Sequence, residues 1–357
     1  MPPSFQPGLI NKASGDPGLF IPFAFNRRAI VFDLGDITAL SPRDTLKISH
    51  VFISHTHMDH FAGFDRLLRT MLGRSKTLYF YGPEGFLRNL EGKLSGYAWN
   101  LVKKFTNQLT IYATEIIEEQ QITRQYACRD GFEPVQLPPP ASHHHPMDAT
   151  VSPFPLHLLY QEPSFNVTAS VLDHGIPCLG FSLKENFSIN IRKDRLDALG
   201  LPPGPWLYQF KQALYDGRDP ESGFPALQDR NGLRIGKEYT IKGLLQEIAI
   251  VSKGQKISYI VDAAYQPANV EKMIALAKNA DHLFIEAAFL EKDREHAVRK
   301  LHLTARQAGE IAGLAGVRRF TLFHFSPRYQ HAEKLFCTEA MKAYGEYFKG
   351  IPESLGA

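Results

Sequence analysis

Cysteine is scarce in this chain: Cys128, Cys178 and Cys337 are the three in 357 residues, far apart and without paired spacing. A disulfide framework and a cysteine-based zinc site are therefore excluded. No apolar run approaches the ~20 residues needed to span a bilayer. Met1-Pro2-Pro3-Ser4 lacks the basic and apolar regions of a secretory signal. These absences predict a chain with no membrane association and the cytoplasm as its simplest location. An excess of one charge is missing too, since 40 Lys and Arg stand against 37 Asp and Glu, a net of +3. That balance allows an anionic partner but lacks the strongly basic character of a dedicated nucleic-acid-binding domain. General disorder is excluded, because 44% hydrophobic and 22% charged residues can build a sizeable core, in one large domain or two smaller ones. Tandem repeats at solenoid or propeller periods are absent.

What the chain does contain is concentrated in Ser54-His55-Thr56-His57-Met58-Asp59-His60. The preceding His50-Val51-Phe52-Ile53 reads as a buried strand. Phe64, Leu67, Leu68, Met71 and Leu72 follow at helical spacing. The motif thus occupies a strand end, in the turn before a helix. Imidazole nitrogens and carboxylate oxygens bind zinc at roughly 2.0–2.2 Å. His55 and His57, two apart in an extended segment, point the same way. Asp59 and His60 come after the turn and can face a second position. The pattern predicts two adjacent metals whose remaining ligands lie downstream. A polar turn of solvated histidines is the alternative, and so dense a cluster makes it costly.

Strands are predicted near residues 19–21, 27–33, 77–81, 108–112, 166–172, 179–183, 256–261, 282–285 and 319–323. Helices are predicted across 86–94, started by Gly82-Pro83, across 268–280, and from a Thr304–Gln307 capping box through Leu314. Alternation of strand, turn and helix predicts a layered α/β fold. His143, His144 and His145 sit in a proline-flanked polar loop, where consecutive side chains are poorly placed for one metal, so a solvated loop is favoured. From Lys184 to about Gly243 mixed charges and turn residues replace apolar alternation, which reads as an arm or flap. The predicted division is 1–183 and 244–357 as two halves of one domain, with 184–243 inserted.

Polar residues recur where apolar strands end: His55, His174, Asp262, Glu286 and His324. Strand ends on one sheet edge meet in one crevice. Singly, each is more often a cap or a satisfied core group. Jointly they supply the two imidazoles and the bridging carboxylate that a dinuclear site still needs.

The order His-x-His-x-Asp-His, then His174, Asp262 and His324, resembles the metallo-β-lactamase superfamily. More narrowly it resembles ribonuclease Z, the family of tRNA 3′-processing endonucleases. Asp173-His174-Gly175 with Gly180-Phe181 is similar to the family's His-Gly…Gly-Tyr segment, and Pro202-Pro203-Gly204-Pro205 to the Gly-Pro motif of its arm. Lys300-Leu301-His302-Leu303-Thr304 resembles its His-Ser-Thr motif, and Phe323-His324-Phe325-Ser326-Pro327-Arg328-Tyr329 its His-Phe-Ser-x-Arg-Tyr block. The likeness runs from about Arg28 to Gln330. It implies an αββα sandwich with metals at one edge, one held by His55, His57 and His174, the other by Asp59, His60 and His324, with Asp262 bridging. It also implies two divalent cations, Zn2+ first, with Mn2+ or Fe as N/O-ligated alternatives. Precursor tRNA becomes the expected partner, bound in part by the arm of a homodimer.

Within that resemblance His302 is the candidate proton donor to the leaving 3′-oxygen, Glu286 the residue that orients it, and Asp59 a catalytic as well as a ligand position. A helix-entry histidine ahead of Thr304 is the plainer reading of His302. Arg192, Lys193, Arg195, Lys211, Arg218, Arg230 and Lys237 are candidate phosphate contacts in the arm, although interleaved acids weaken counterion release and leave a solvated flap as the alternative. The chain departs from the family in places. Gly15-Asp16-Pro17-Gly18 stands near the position of a Pro-x-Lys-x-Arg-Asn loop, Ile285-Glu286-Ala287-Ala288 replaces His-Glu-Ala-Thr, and Val261-Asp262-Ala263 replaces Gly-Asp-Thr. Two other functions fit these residues: a hydrolase of a small phosphodiester, lactone or sulfate ester, and a non-catalytic RNA-binding module with structural metals.

Overall fold

The computed structural model describes residues 4–24, 26–118, 120–138, 156–224, 239–329 and 331–349; His143 to His145, Arg230 and Lys237 lie outside the described residues. Strands β1 (Gly8–Leu9), β2 (Leu19–Pro22), β3 (Ala29–Phe32), β4 (Ile48–Phe52), β5 (Lys76–Pro83), β6 (Leu109–Ile117), β7 (Gln120–Ala127) and β8 (Pro134–Gln136) form one sheet in chain order. Its centre, β3 to β6, is parallel, and its margins are antiparallel. The chain continues through β9 (His157–Glu162), β10 (Phe165–Asp173) and β11 (Pro177–Glu185). Next come β12 (Phe187–Ile191) and β13 (Ala249–Lys253), which pair with each other, then β14 (Lys256–Ile260), β15 (His282–Glu286) and β16 (Phe320–Phe323). The second sheet has the order β16-β15-β14-β11-β10-β9, with β14, β15 and β16 mutually parallel.

Two compact units result: Phe5–Leu159, Val167–Leu183 and Lys256–Ala357 in one; Met1–Ser4, Tyr160–Asn166 and Lys184–Gln255 in the other. In the larger unit, successive side chains of a strand face opposite sides. Val31 and Val51 point outward, into a core shared with helices Phe64–Met71 and Phe86–Ser95. Phe32 and Phe52 point inward, where their rings lie 5.1 and 5.8 Å from that of Phe181 across the sheet-to-sheet gap. Ile260, Leu283 and Ile285 pack outward on helices Pro267–Ala277 and Ala305–Leu314. Helix, sheet, sheet and helix are therefore stacked in four layers.

Gly82-Pro83 close β5 and do not open the next helix, which starts at Phe86 behind Gly85 at φ +87°. The smaller unit has its own core of Ile189, Leu196, Phe210, Leu244 and Ile248. It continues to Gln255 because β13 pairs antiparallel with β12 beyond the helix Ile241–Ile248. Among the described residues, no helix is long and apolar enough to cross a membrane.

Candidate metal centre

The central parallel strands deliver the motif. β4 ends at Phe52, the Ile53 N–H donates to the Tyr81 carbonyl at 2.8 Å, and Leu179 of the other sheet donates to the Ser54 carbonyl at 2.8 Å. His57 then serves as N-cap of a single helical turn, Met58–Phe61, which folds Asp59 and His60 back toward His55. The ring centroids of His55 and His57 are 4.4 Å apart, those of His55 and His60 4.2 Å.

Beneath this turn lies Asp33, fully buried at the end of β3 with φ +59°. Its carboxylate accepts from Ser54 N (2.7 Å), Ser54 Oγ (2.8 Å), His60 Nδ1 (2.9 Å) and the Tyr259 hydroxyl (3.0 Å). Because a carboxylate can only accept, His60 Nδ1 donates to Asp33, which turns Nε2 toward the cluster. The chain after Asp33 passes close under the motif: a Cβ on Gly35 would lie 2.3 Å from the Asp59 carbonyl, so only glycine fits there. His174, just past β10, is fixed in the same way, with Nδ1 donating to the Leu301 carbonyl at 2.9 Å.

Asp262, just past β14 at φ +46°, is the hub. Its Oδ2 lies 3.5 Å from His55 Nε2, 3.3 Å from His60 Nε2 and 3.4 Å from His174 Nε2. His324 follows β16, with Nε2 3.3 Å from Asp59 Oδ2 and Nδ1 2.8 Å from Asp262 Oδ1, the latter without the alignment of a hydrogen bond. Asp59 Oδ2 is 3.5 Å from His60 Nε2. Three ligand groups emerge, each with its donor atoms within 4.8 Å of one another: His55, His57, His174 and Asp262; Asp59, His60 and His324; and Asp262, Glu286, His302 and His324. All nine residues singled out in the sequence thus lie in one place.

The fit of divalent cations to this cluster rests on its orphaned atoms. Among the described residues, His55 Nε2, His60 Nε2 and Asp262 Oδ1 are buried without a hydrogen-bond partner, each a cost of about 1–3 kcal/mol unless satisfied. Imidazole nitrogens and carboxylate oxygens are the donor set that divalent cations take. Burial pushes the His55 imidazole down to about 2, which keeps it neutral and ready to donate a lone pair. Burial also opposes charge on His60, but Asp262 and Asp33 overcome it and raise that group to about 10.

Glu286, the last residue of β15 and fully buried, has both oxygens engaged. Oε1 accepts from Ala263 N at 3.0 Å and Leu303 N at 3.3 Å, and Oε2 from His302 Nδ1 at 2.8 Å. Burial disfavours charge on both partners. Their pairing prevails, holding His302 above the ordinary imidazole range and Glu286 below the ordinary carboxylate range. The His302 ring centroid is 5.1 Å from that of His174 and 5.4 Å from that of His324, beside the cluster.

Asp33 and Tyr259 carry no ligand signal in the sequence, although Asp33 ends a readable strand. Asp33→Asn is expected to weaken metal binding at the His60 position roughly 10- to 100-fold, the usual effect of losing a residue that orients a ligand. Competition with a chromogenic chelator measures it.

Two facing sheets, outer helices and a histidine–aspartate cluster at the strand ends define a metallo-β-lactamase fold with a site for divalent metals. The metallo-β-lactamase fold protein YhfI from Bacillus subtilis superposes with a TM-score of 0.51 over 97% of this chain and 95% of that one, at 16% identity. No protein-family model matches the chain. Its sequence relatives are more particular. Ribonuclease Z of Deinococcus radiodurans is 29% identical over 285 residues, covering 80% of this chain and 77% of that protein. Ribonuclease Z of Thermobifida fusca is 38% identical over 184 residues, about half of each. The chain is a metallo-β-lactamase-fold protein that resembles ribonuclease Z.

Proposed function

We propose that this chain is a dinuclear-metal phosphodiesterase that cleaves the 3′ trailer from precursor tRNA. The observation that carries the reading is the convergence of His55, His60 and His174 Nε2 on one oxygen of Asp262, with Asp59 and His324 alongside. His55, His57 and His174 would hold one cation and Asp59, His60 and His324 the other, with Asp262 available to both. Zn2+ is the proposed metal, with Mn2+ and Fe as alternatives. When bound, such cations supply an activated water and neutralise charge that develops on phosphoryl oxygens.

The chain's own residues do the rest. Asp59, whose side chain is 44% exposed, accepts a hydrogen bond from the incoming water at Oδ2 and orients it. Glu286 accepts from His302 Nδ1 and favours the charged imidazolium, whose Nε2 proton passes to the leaving 3′-oxygen. The likeness to ribonuclease Z supports tRNA over a small ester as substrate. The arm is proposed as a tRNA exosite, in a homodimer. Its charge is partly spent at home, since Arg192 pairs with Asp194 at 2.6 Å and Arg195 with Glu247 at 2.8 Å. Trp206 Nε1 donates to the Pro202 carbonyl at 2.9 Å and pins the Gly-Pro stretch.

The test is incubation with precursor tRNA beside bis-p-nitrophenyl phosphate. Expected are release of the trailer, loss of cleavage with chelator and its return with Zn2+. Hydrolysis of the small diester with precursor tRNA left intact would transfer the assignment to a small-ester hydrolase.

A further inference from the structure

Next to the metal centre lies an open cleft of about 620 Å³, within the roughly 300–1,000 Å³ of small-ligand sites. His55 and Thr56, the start of the metal motif, line its edge, so the cleft adjoins the cluster. Ile117, Ile122 and Ile176 give it apolar walls, and Arg88, Asn89 and Glu84 give it polar rims. Its other charges are already engaged. Glu115 Oε2 accepts from Leu87 N at 2.8 Å, and Arg124 is bound to Glu91 at 2.7 Å. Arg88, exposed in the first turn of the helix Phe86–Ser95, has no ion-pair partner among the described residues. Asn89 Nδ2 donates to Thr56 Oγ1 at 2.5 Å, which ties this helix to the residue between His55 and His57.

We infer that this cleft is a single-nucleotide subsite: its apolar walls take the base next to the scissile phosphate, and Arg88 takes a phosphodiester of the same strand. The inference rests on the phosphodiesterase reading above and adds to it which part of the RNA is gripped. Apolar walls suit the two faces of a base, and rim donors and acceptors suit its edges. Glu84 on the rim repels a dianionic monoester more than a singly charged diester. A filled cleft also steadies Thr56, and with it the spacing of the two histidines that flank it.

The experiment compares Arg88→Ala and Ile176→Trp with the parent chain. The RNAs carry an abasic residue at one or the other nucleotide flanking the scissile bond, and bis-p-nitrophenyl phosphate is the reference substrate. A charge-assisted contact predicts that Arg88→Ala lowers the RNA-to-diester ratio of kcat/KM roughly 10- to 100-fold. Ile176→Trp, which narrows the cleft at an exposed position, lowers the same ratio. One of the two abasic RNAs shows a similar loss with the parent chain, and little further loss with Ile176→Trp. Circular dichroism melting verifies that both variants are folded. Cleavage of RNA by the parent chain with ratios unchanged in both variants and both abasic RNAs overturns the subsite and leaves the phosphodiesterase reading intact. An RNA untouched by a parent chain that hydrolyses the small diester overturns both.

Discussion

Replacing His302 by alanine is expected to lower kcat on precursor tRNA by roughly 10²–10⁴-fold, the range a positioned general acid contributes. Metal content should stay at the parent level, because His302 belongs to neither proposed metal-holding trio. A donor works only while protonated, so kcat falls as pH rises through the His302 pKa. Burial alone would lower that pKa; the Glu286 carboxylate at 2.8 Å raises it above the ordinary imidazole value. Glu286→Gln removes the raising charge and keeps an amide able to accept from Ala263 N. The alkaline limb of the pH–rate profile should therefore move to lower pH in Glu286→Gln. A limb that stays in place would remove Glu286 from this role, and a His302→Ala enzyme with the parent rate would remove the acid itself.

Asp262→Asn should have the second large effect. One oxygen of Asp262 lies within 3.5 Å of three imidazole nitrogens, and the carboxyl is almost completely buried. An amide keeps the shape and loses the negative charge that both cations would share. Electrostatic stabilisation by a metal pair is worth several kcal/mol, and about 1.4 kcal/mol is a factor of ten. A fall of roughly 10³-fold or more in kcat/KM follows, together with fewer than two cations per chain in elemental analysis of the purified variant. Two cations per chain and an undiminished rate would show that Asp262 does not bridge.

The metal motif is legible because four of its donors are local, packed into His55–His60 behind an apolar strand. The distant members are legible as a set, since strand ends share an edge. Asp33 is not. An aspartate ahead of Leu34-Gly35 reads equally well as a turn residue, and its role appears only when Ser54, His60 and Tyr259 from other parts of the chain surround it. The helix Glu333–Tyr347 is hidden for another reason: it buries Phe336, Ala340 and Ala343, and two alanines make a faint apolar stripe. Strand β7 is mostly half-buried and reads as mixed. In the smaller unit, core residues are spread between charged ones, so 184–243 reads as an excursion, although among the described residues the unit through Gln255 holds a two-stranded ribbon and three helices.

His324 meets Asp59 across 265 positions of chain. During synthesis at about 5–20 residues per second, the early histidines are exposed on the ribosome for roughly 13–53 s before their last companion is made. In that interval the nascent polypeptide offers an incomplete cation trap. Under the proposed assignment, capture of the second ion would be a late event of maturation that clasps the first and last quarters of the chain together. Loaded protein should accordingly unfold far more slowly than stripped protein, which makes metal supply a determinant of its lifetime in the cell.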